Sequence, residues 1–516
     1  MRAHGLWTIA ADEPDRTAVV APDGSRLSYG ELAARADRYG RGLQALGLEP
    51  GDVVAVLLPN GTEMLSLFFA TWQTGLYIVP VNWHLIGPEV AYLLENSGAK
   101  AFVADERFAA TAVAAADEAG LPATARFAVG DIDGFAPLGE LGAGEPAGRP
   151  DVLTTGAPMV YTSGTTGRPK GVKRPLTGDD PNVPPAAGAW FLGIFGIGPF
   201  DDHVHVCCSP LYHTAVLNFA TLSIQLGHKT VLMDAFDAEE LLRLIETERV
   251  TYSHMVPTQF KRLLSLPDDV RARYDVSSLR AMIHGAAPCP PEVKRRMIEW
   301  WGPVVIDYYA ATEGGGTMIT AQEWLERPGS VGRPWPGSTI RVLGDGGAEL
   351  PVGEQGLIYM QMGTSDFEYH HDAEKTRSAR VGRLFTLGDI GYLDEDGYLY
   401  LCDRKADMII TGGVNVYPAE IENELAAHPE VADVAVFGIP HPEWGEEIKA
   451  VVKPAAGVVA DDDLRERLLA HVRSRLARFK VPRSVDFVDE LPRDDNGKLY
   501  KRKLRDPYWA DQARAI

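Results

Sequence analysis

The sequence predicts an α/β protein: parallel sheets covered by helices through residues 1–403, then a smaller α+β domain over residues 404–516. Three observations lead there. The chain has 516 residues, too many for one core when domains run to about 100–200 residues. Short apolar runs alternate with segments of helical spacing, the pattern of β-α-β units. Composition shifts near Asp403-Arg404, and the remainder is the size of a small domain.

The elements follow in order. Residues 53–58 read as a buried strand, 63–74 as a helix, 77–81 as a strand, 88–96 as a helix and 101–104 as a strand. A Gly-, Pro- and Ala-rich stretch, 140–150, closes this opening region. Residues 178–188, with Pro181, Pro184 and Pro185, form a loop expected on the surface. Asp237 caps a helix whose apolar face holds Leu241, Leu242, Leu244 and Ile245. Strands are expected at 252–256, 281–284 and 304–308. Past residue 404 come a helix from Pro418, strands at 431–437 and 448–452, and an amphipathic helix from Asp461 or Asp462 to about Phe479.

Bulk properties narrow the function. A net charge of −21 favours solubility and argues against a general nucleic-acid surface. An anionic substrate must then be held by local donors. Cys207, Cys208, Cys289 and Cys402 form no C-x-x-C pair, so neither a zinc site nor a disulfide framework is indicated. Residues 1–15 lack the apolar core of a signal peptide. The glycine-interrupted run 190–200 is too short for a transmembrane segment. A cytoplasmic location is expected.

The run Tyr161-Thr-Ser-Gly-Thr-Thr-Gly-Arg-Pro-Lys-Gly171 carries the most chemistry. Glycines let backbone approach an anion, hydroxyls and N–H groups donate, and a lysine adds charge. It is not a Walker loop, because Pro169 falls where the second glycine belongs and Gly171 follows Lys170. A second group, Asp307-Tyr-Tyr-Ala-Ala-Thr-Glu313-Gly-Gly-Gly316, runs from a strand end into three glycines. Ligands bind at such ends in α/β sheets. An aromatic there can stack on a base, a hydroxyl can donate to phosphate, and a carboxylate can hold Mg²⁺.

The loop resembles the signature loop of the adenylate-forming superfamily: acyl-CoA and aryl-CoA ligases, peptide-synthetase adenylation domains and beetle luciferases. Four further motifs match it in order. They are the group ending in Thr312-Glu313, Thr386-Leu-Gly-Asp389, the stretch from Asp403-Arg404 through Gly412-Gly413 to Ile421, and Pro492-Arg-Asp-Asp-Asn-Gly-Lys498. Leu27-Ser-Tyr-Gly-Glu31 and residues 77–105 also look like acyl-CoA ligases, so the resemblance covers nearly the whole chain.

The resemblance implies a large N-terminal domain of layered αβ subdomains and a small mobile C-terminal domain. It implies ATP, Mg²⁺ and coenzyme A, and it allows a homodimer. Thr162, Ser163, Gly164, Thr165, Thr166, Gly167 and Lys170 would hold phosphates. Tyr309 would stack on adenine, with Tyr308, Gly285 and Ala286 close to the nucleotide and Asp307 near the adenine amino group. Thr312 would contact the α-phosphate and Glu313 would bind Mg²⁺. Asp389 would accept the ribose hydroxyls and Arg404 would reach the ribose. Gly412 and Gly413 would leave space for a pantetheine arm. Lys498 becomes the catalytic lysine and His213 a gate between acid and thiol. Three positions depart from the pattern: Ala310 replaces a glycine, Leu387 a threonine, and Ala406 the Asp or Lys of the hinge. The basic residues Arg473, Arg475, Arg478, Lys480 and Arg483 are either a solvated face or a dock for the phosphates of coenzyme A.

For the acid, acetyl-CoA synthetases carry a tryptophan where this chain has Ala310. Gly314, Gly315 and Gly316 add room, so short acids are not expected. Near Tyr212–Thr214 there is no aspartate to hold a substrate amine. A medium or long fatty acid leads, a bulky aryl or steroid side-chain acid follows, and delivery to a carrier protein is a further alternative. A nucleotide-binding protein without catalysis is the reading from a different class.

Overall fold

The computed structural model describes residues 4–162, 169–182, 186–311, 313–344, 346–363, 367–411, 414–494 and 497–510. Contacts divide the chain into two compact units. One comprises Met1–Met255, Leu266–Ile283 and Ser365–Ser378; the other comprises Val256–Ser265, His284–Thr364 and Ala379–Ile516.

The first unit holds a six-stranded sheet in the order Ala136–Pro137, Arg126–Val129, Ala99–Asp105, Val53–Leu57, Tyr77–Pro80, Ala157–Pro158. Every neighbouring pair is parallel. Such strands are covered on both faces and read as unbroken apolar runs; Val53–Leu57 is buried at all positions. Helices Thr62–Gln73 and Gly87–Ser97 make the crossovers. The second ends at Gly98 with φ 67°, a left-handed cap that glycine adopts without strain.

A second parallel set in the same unit runs Thr17–Val20, Lys229–Leu232, Val204–Cys207, Tyr252–Met255. Helix Ala238–Glu248 is capped by Asp237, which accepts from the Glu240 N–H, and it buries Leu241, Leu242, Leu244 and Ile245, as its spacing predicts. The start of the proline-bearing loop is tied down: Thr155 donates through N–H and hydroxyl to Asp179 C=O.

In the second unit, Val305–Ala310 pairs antiparallel with Gly316–Ile319 and that strand with Ser330–Pro334. Asp389–Leu393 lies between Leu399–Arg404 and Gly356–Met362. Further along, Val431–His441 and Gly445–Pro454 form a long antiparallel pair, with Ser484–Phe487 added parallel. Helices Pro418–Ala426 and Asp462–Arg473 bury Ile421, Leu425, Leu464, Leu468 and Val472 against them. The last helix stops at Arg473, short of the expected Phe479. The Ser474 hydroxyl caps its end by donating to His471 C=O at 2.7 Å, and Leu476 packs against the core.

Candidate active site

The second unit gathers four predicted site residues from distant parts of the chain. Asp389 is 8% exposed. Its Oδ2 accepts from the Tyr309 hydroxyl at 2.6 Å and its Oδ1 from Arg404 Nε at 3.2 Å. Each carboxylate oxygen has a second acceptor direction, which suits a vicinal diol. Burial, with Asp389 adding, pushes the Tyr309 phenol well above its ordinary pKa, so it stays a donor. Antiparallel pairing of Asp389 with Arg404 sets this contact.

Lys498 lies in the same field. Burial first, and then the Arg404 charge, lower its pKa, with Asp494 and Asp389 opposing. Its backbone N–H donates to Asp494 Oδ1 at 2.8 Å. Gly497 just before it has φ 72°, and a Cβ there would meet the Thr258 side chain at 2.2 Å. Glycine is required at that position for conformation and for space.

Asp307 and Tyr309 share one face of their strand, and Tyr308 takes the other. Tyr308 is 8% exposed and stacks toward Trp335 at 6.5 Å. Its ring closes on Gly285, where a Cβ would come within 2.7 Å. Ala286 holds φ 65°, a left-handed conformation that costs a non-glycine residue about 1–2 kcal/mol. Such strain concentrates at ligand clamps, and here it falls in the segment expected beside the nucleotide. Glu313 is buried at the end of the same strand region.

In the first unit, Lys170 opens the strand Lys170–Lys173 and forms an ion pair with Asp372. Tyr161 donates to Asn96 Oδ1 at 2.7 Å. His213 is the N-cap of helix Thr214–Gln225; its ring lies 4.3 Å from Tyr212, which in turn meets Trp83 edge-on at 4.6 Å. Below it Phe219 packs on Phe191, Phe195 and His254 at 5.5, 5.8 and 5.1 Å. The backbone of Thr162 is the end of a strand. Ser163, Gly164, Thr165, Thr166, Gly167, Thr312, Gly412 and Gly413 lie outside the described residues.

Several residues beside the site were not singled out from sequence. Lys294, on helix Pro291–Trp301, holds Asp307; the signal was a lysine on the apolar stripe with Met297, Ile298 and Trp301. Lys501 pairs with Glu422 at 2.9 Å; burial opposes its charge, but Glu422 and Asp403 keep it protonated. Arg505 donates to the C=O of Ala406 at 3.1 Å, at the expected hinge. Three members of the basic cluster are engaged with carboxylates: Arg473 with Glu466, Arg475 with Glu424 and Lys480 with Glu420. The solvated-face reading suits them.

Comparison with known proteins decides the family. Residues 6–364 match the AMP-binding enzyme model, and residues 420–498 match the AMP-binding enzyme C-terminal domain. The chain belongs to the AMP-binding enzyme family. It is 37% identical to a feruloyl-CoA synthase from an Amycolatopsis species, over 98% of this chain and 99% of that one. It is 35% identical to the long-chain-fatty-acid–CoA ligase FadD13 of Mycobacterium tuberculosis, over 94% of each. ATP-bound MatB from Rhodopseudomonas palustris superposes with a TM-score of 0.83 at 31% identity, covering 98% and 99%.

The protein is accordingly an AMP-forming acyl-CoA synthetase that uses ATP, Mg²⁺ and coenzyme A. The residues present fit this set: buried carboxylates at Asp389 and Glu313 and a lysine, Lys498, in the field of Asp389. Among the described residues no group of three or more His, Cys, Asp or Glu is placed to hold a metal ion. No described helix is long and apolar enough to cross a membrane.

Proposed function

We propose that this synthetase activates a ring-bearing carboxylic acid and passes it to coenzyme A in the cytoplasm. The observation that carries the acid's class is the 37% identity to a feruloyl-CoA synthase over 98% of this chain, a ligase named for a ring-bearing acid. The sequence alone put a fatty acid first. A medium or long fatty acid is the second reading, supported by the likeness to FadD13.

In the first half-reaction the acid's carboxylate attacks the α-phosphorus and pyrophosphate leaves. Lys498 lies between incoming carboxylate and α-phosphate, where a fixed cation acts on developing charge. Asp389, Tyr309 and Arg404 hold the nucleoside, and the loop from Thr162 to Gly167 with Lys170 and Thr312 holds the phosphates. Mg²⁺, when bound by Glu313 and the phosphates, supplies charge neutralisation. Residues 404–516 then turn about Ala406, Lys498 withdraws, Gly412 and Gly413 leave space for the pantetheine arm, and the thiol attacks the acyl carbon with AMP as the leaving group.

Two measurements test this. A panel of aryl, aryl-alkanoic, steroid side-chain and straight-chain acids with ATP, Mg²⁺ and coenzyme A should give the highest kcat/KM for a ring-bearing acid. A higher value for a straight chain would select the second reading, and products formed only with a carrier protein would replace the acceptor. Lys498→Ala should abolish pyrophosphate release yet spare thioester formation from supplied acyl adenylate. Because Lys498 loses its proton below the ordinary lysine range, wild-type pyrophosphate release should decline on the alkaline side and thioester formation should not. Equal loss in both half-reactions removes Lys498 from the first.

A further inference from the structure

Lys294 has no place in the mechanism above, yet its charge is taken almost wholly out of water. It is 1% exposed, and a buried ammonium costs several kcal/mol unless paired. Its Nζ donates to Asp307 Oδ2 at 2.7 Å and lies 4.9 Å from the centre of the Trp324 ring. The other oxygen, Oδ1, is 3.6 Å from His284 Nδ1, beyond hydrogen-bond reach. His284 is fully buried beside Phe260, 5.2 Å away. Burial pushes its pKa down to about 4, so the ring is neutral at pH 7 and does not claim Oδ1 as an ion pair. Asp307 is thus anchored through one oxygen and keeps acceptor capacity on the other. It sits two residues before Tyr309 on the same strand face, and Tyr309 is tied to Asp389.

We infer that Lys294 is a positioning residue for purine recognition: by holding Asp307 Oδ2 it presents Oδ1 as a fixed acceptor for an exocyclic amino group, selecting adenine over 6-oxopurines. A carboxylate accepts and does not donate. The C6 amino group of adenine satisfies it; the C6 carbonyl of hypoxanthine sets acceptor against acceptor and leaves both unpaired. Discrimination of on the order of ten- to a hundredfold is expected. The inference rests on the nucleotide site described above.

The test measures pyrophosphate release with ATP and with ITP, and binding of each by calorimetry. Wild type should favour ATP. Lys294→Gln should cut the ATP:ITP ratio of kcat/KM about tenfold through a raised KM for ATP, with kcat within about twofold and the KM for the acid unchanged. Lys294→Arg, which keeps charge and donor, should recover most of the ratio. A folded Lys294→Gln protein that keeps the ratio, or that loses kcat equally with both nucleotides, overturns the inference. If Lys294→Gln does not fold, the apolar pair Lys294→Met with Asp307→Leu removes both charges together; it should show a ratio near one, and retained selectivity overturns the inference. If wild type prefers ATP and Asp307→Ala keeps that preference, this inference alone falls. If wild type binds neither nucleotide, the underlying site falls with it.

Discussion

The two parallel sheets of the first unit have the same architecture and opposite interiors. In the six-stranded sheet, Val53–Leu57, Tyr77–Pro80 and residues 101–104 are apolar on both faces. In the other, the strands read Val-His-Val-Cys, Lys-Thr-Val-Leu and Tyr-Ser-His-Met. His205, Thr230 and Tyr252 stand opposite one another across the ladders, on the side where Tyr252 bonds Ser223 of helix Thr214–Gln225. His205 stacks on Tyr252 at 4.9 Å, and neither its ring nitrogens nor the Thr230 hydroxyl has a hydrogen-bond partner among the described residues. Burying polar groups costs free energy that an apolar strand avoids. One sheet is built for stability; the other gives up stability beneath the helix that starts at His213.

Near neutral pH, the largest effect of a single substitution should appear in the apolar sheet. Phe102 is 0% exposed, and Phe102→Ala should cost about 3–5 kcal/mol, read by denaturant unfolding, with the ranking of acids unchanged. A cost below about 1 kcal/mol would break the contrast.

The histidines should make stability pH-dependent. Burial pushes the pKa of His205 and of His228 down to about 3. As pH falls below about 6.5 the unfolded chain takes up protons at these rings and the folded chain does not. Stability is therefore lost from about pH 6.5 toward pH 3, by about 1.4 kcal/mol per pH unit per ring. His205→Phe should flatten the slope of stability against pH by one ring's share. An unchanged slope would mean that His205 is already protonated in the fold.

The smallest effect belongs to Thr230. Thr230→Val removes an unpartnered buried hydroxyl and should be neutral or stabilising by about 1 kcal/mol, read as a small rise in Tm. A clear loss of stability would show that the hydroxyl has a partner such as an ordered water.

Much of this was legible in the sequence. Helix Ala238–Glu248 and its Asp237 cap were, because capping and apolar spacing are local. The motifs at Tyr309, Asp389, Arg404 and Lys498 could be read as short runs with their own chemistry, and the fold brings these four residues together. The end of helix Asp462–Arg473 was not, since apolar spacing continues past the point where Ser474 caps it. Lys294 was legible only as a lysine on the apolar stripe of its helix; its partner Asp307 was not, because the two meet only in the folded chain. The class of acid was ranked on Ala310 and three glycines, which bear on room and say little of the acid's chemistry.

By itself the sequence determined the kinds of group available and their order along the chain, hence the family and the reaction. Tertiary structure decided which groups meet. Tyr309 and Asp389 are 80 residues apart, Lys501 and Glu422 come from opposite ends of the last domain-sized segment, and Lys294 finds Asp307 only when its helix packs on the strand. Hydrogen bonds form at about 3 Å, a distance that no spacing along the chain specifies.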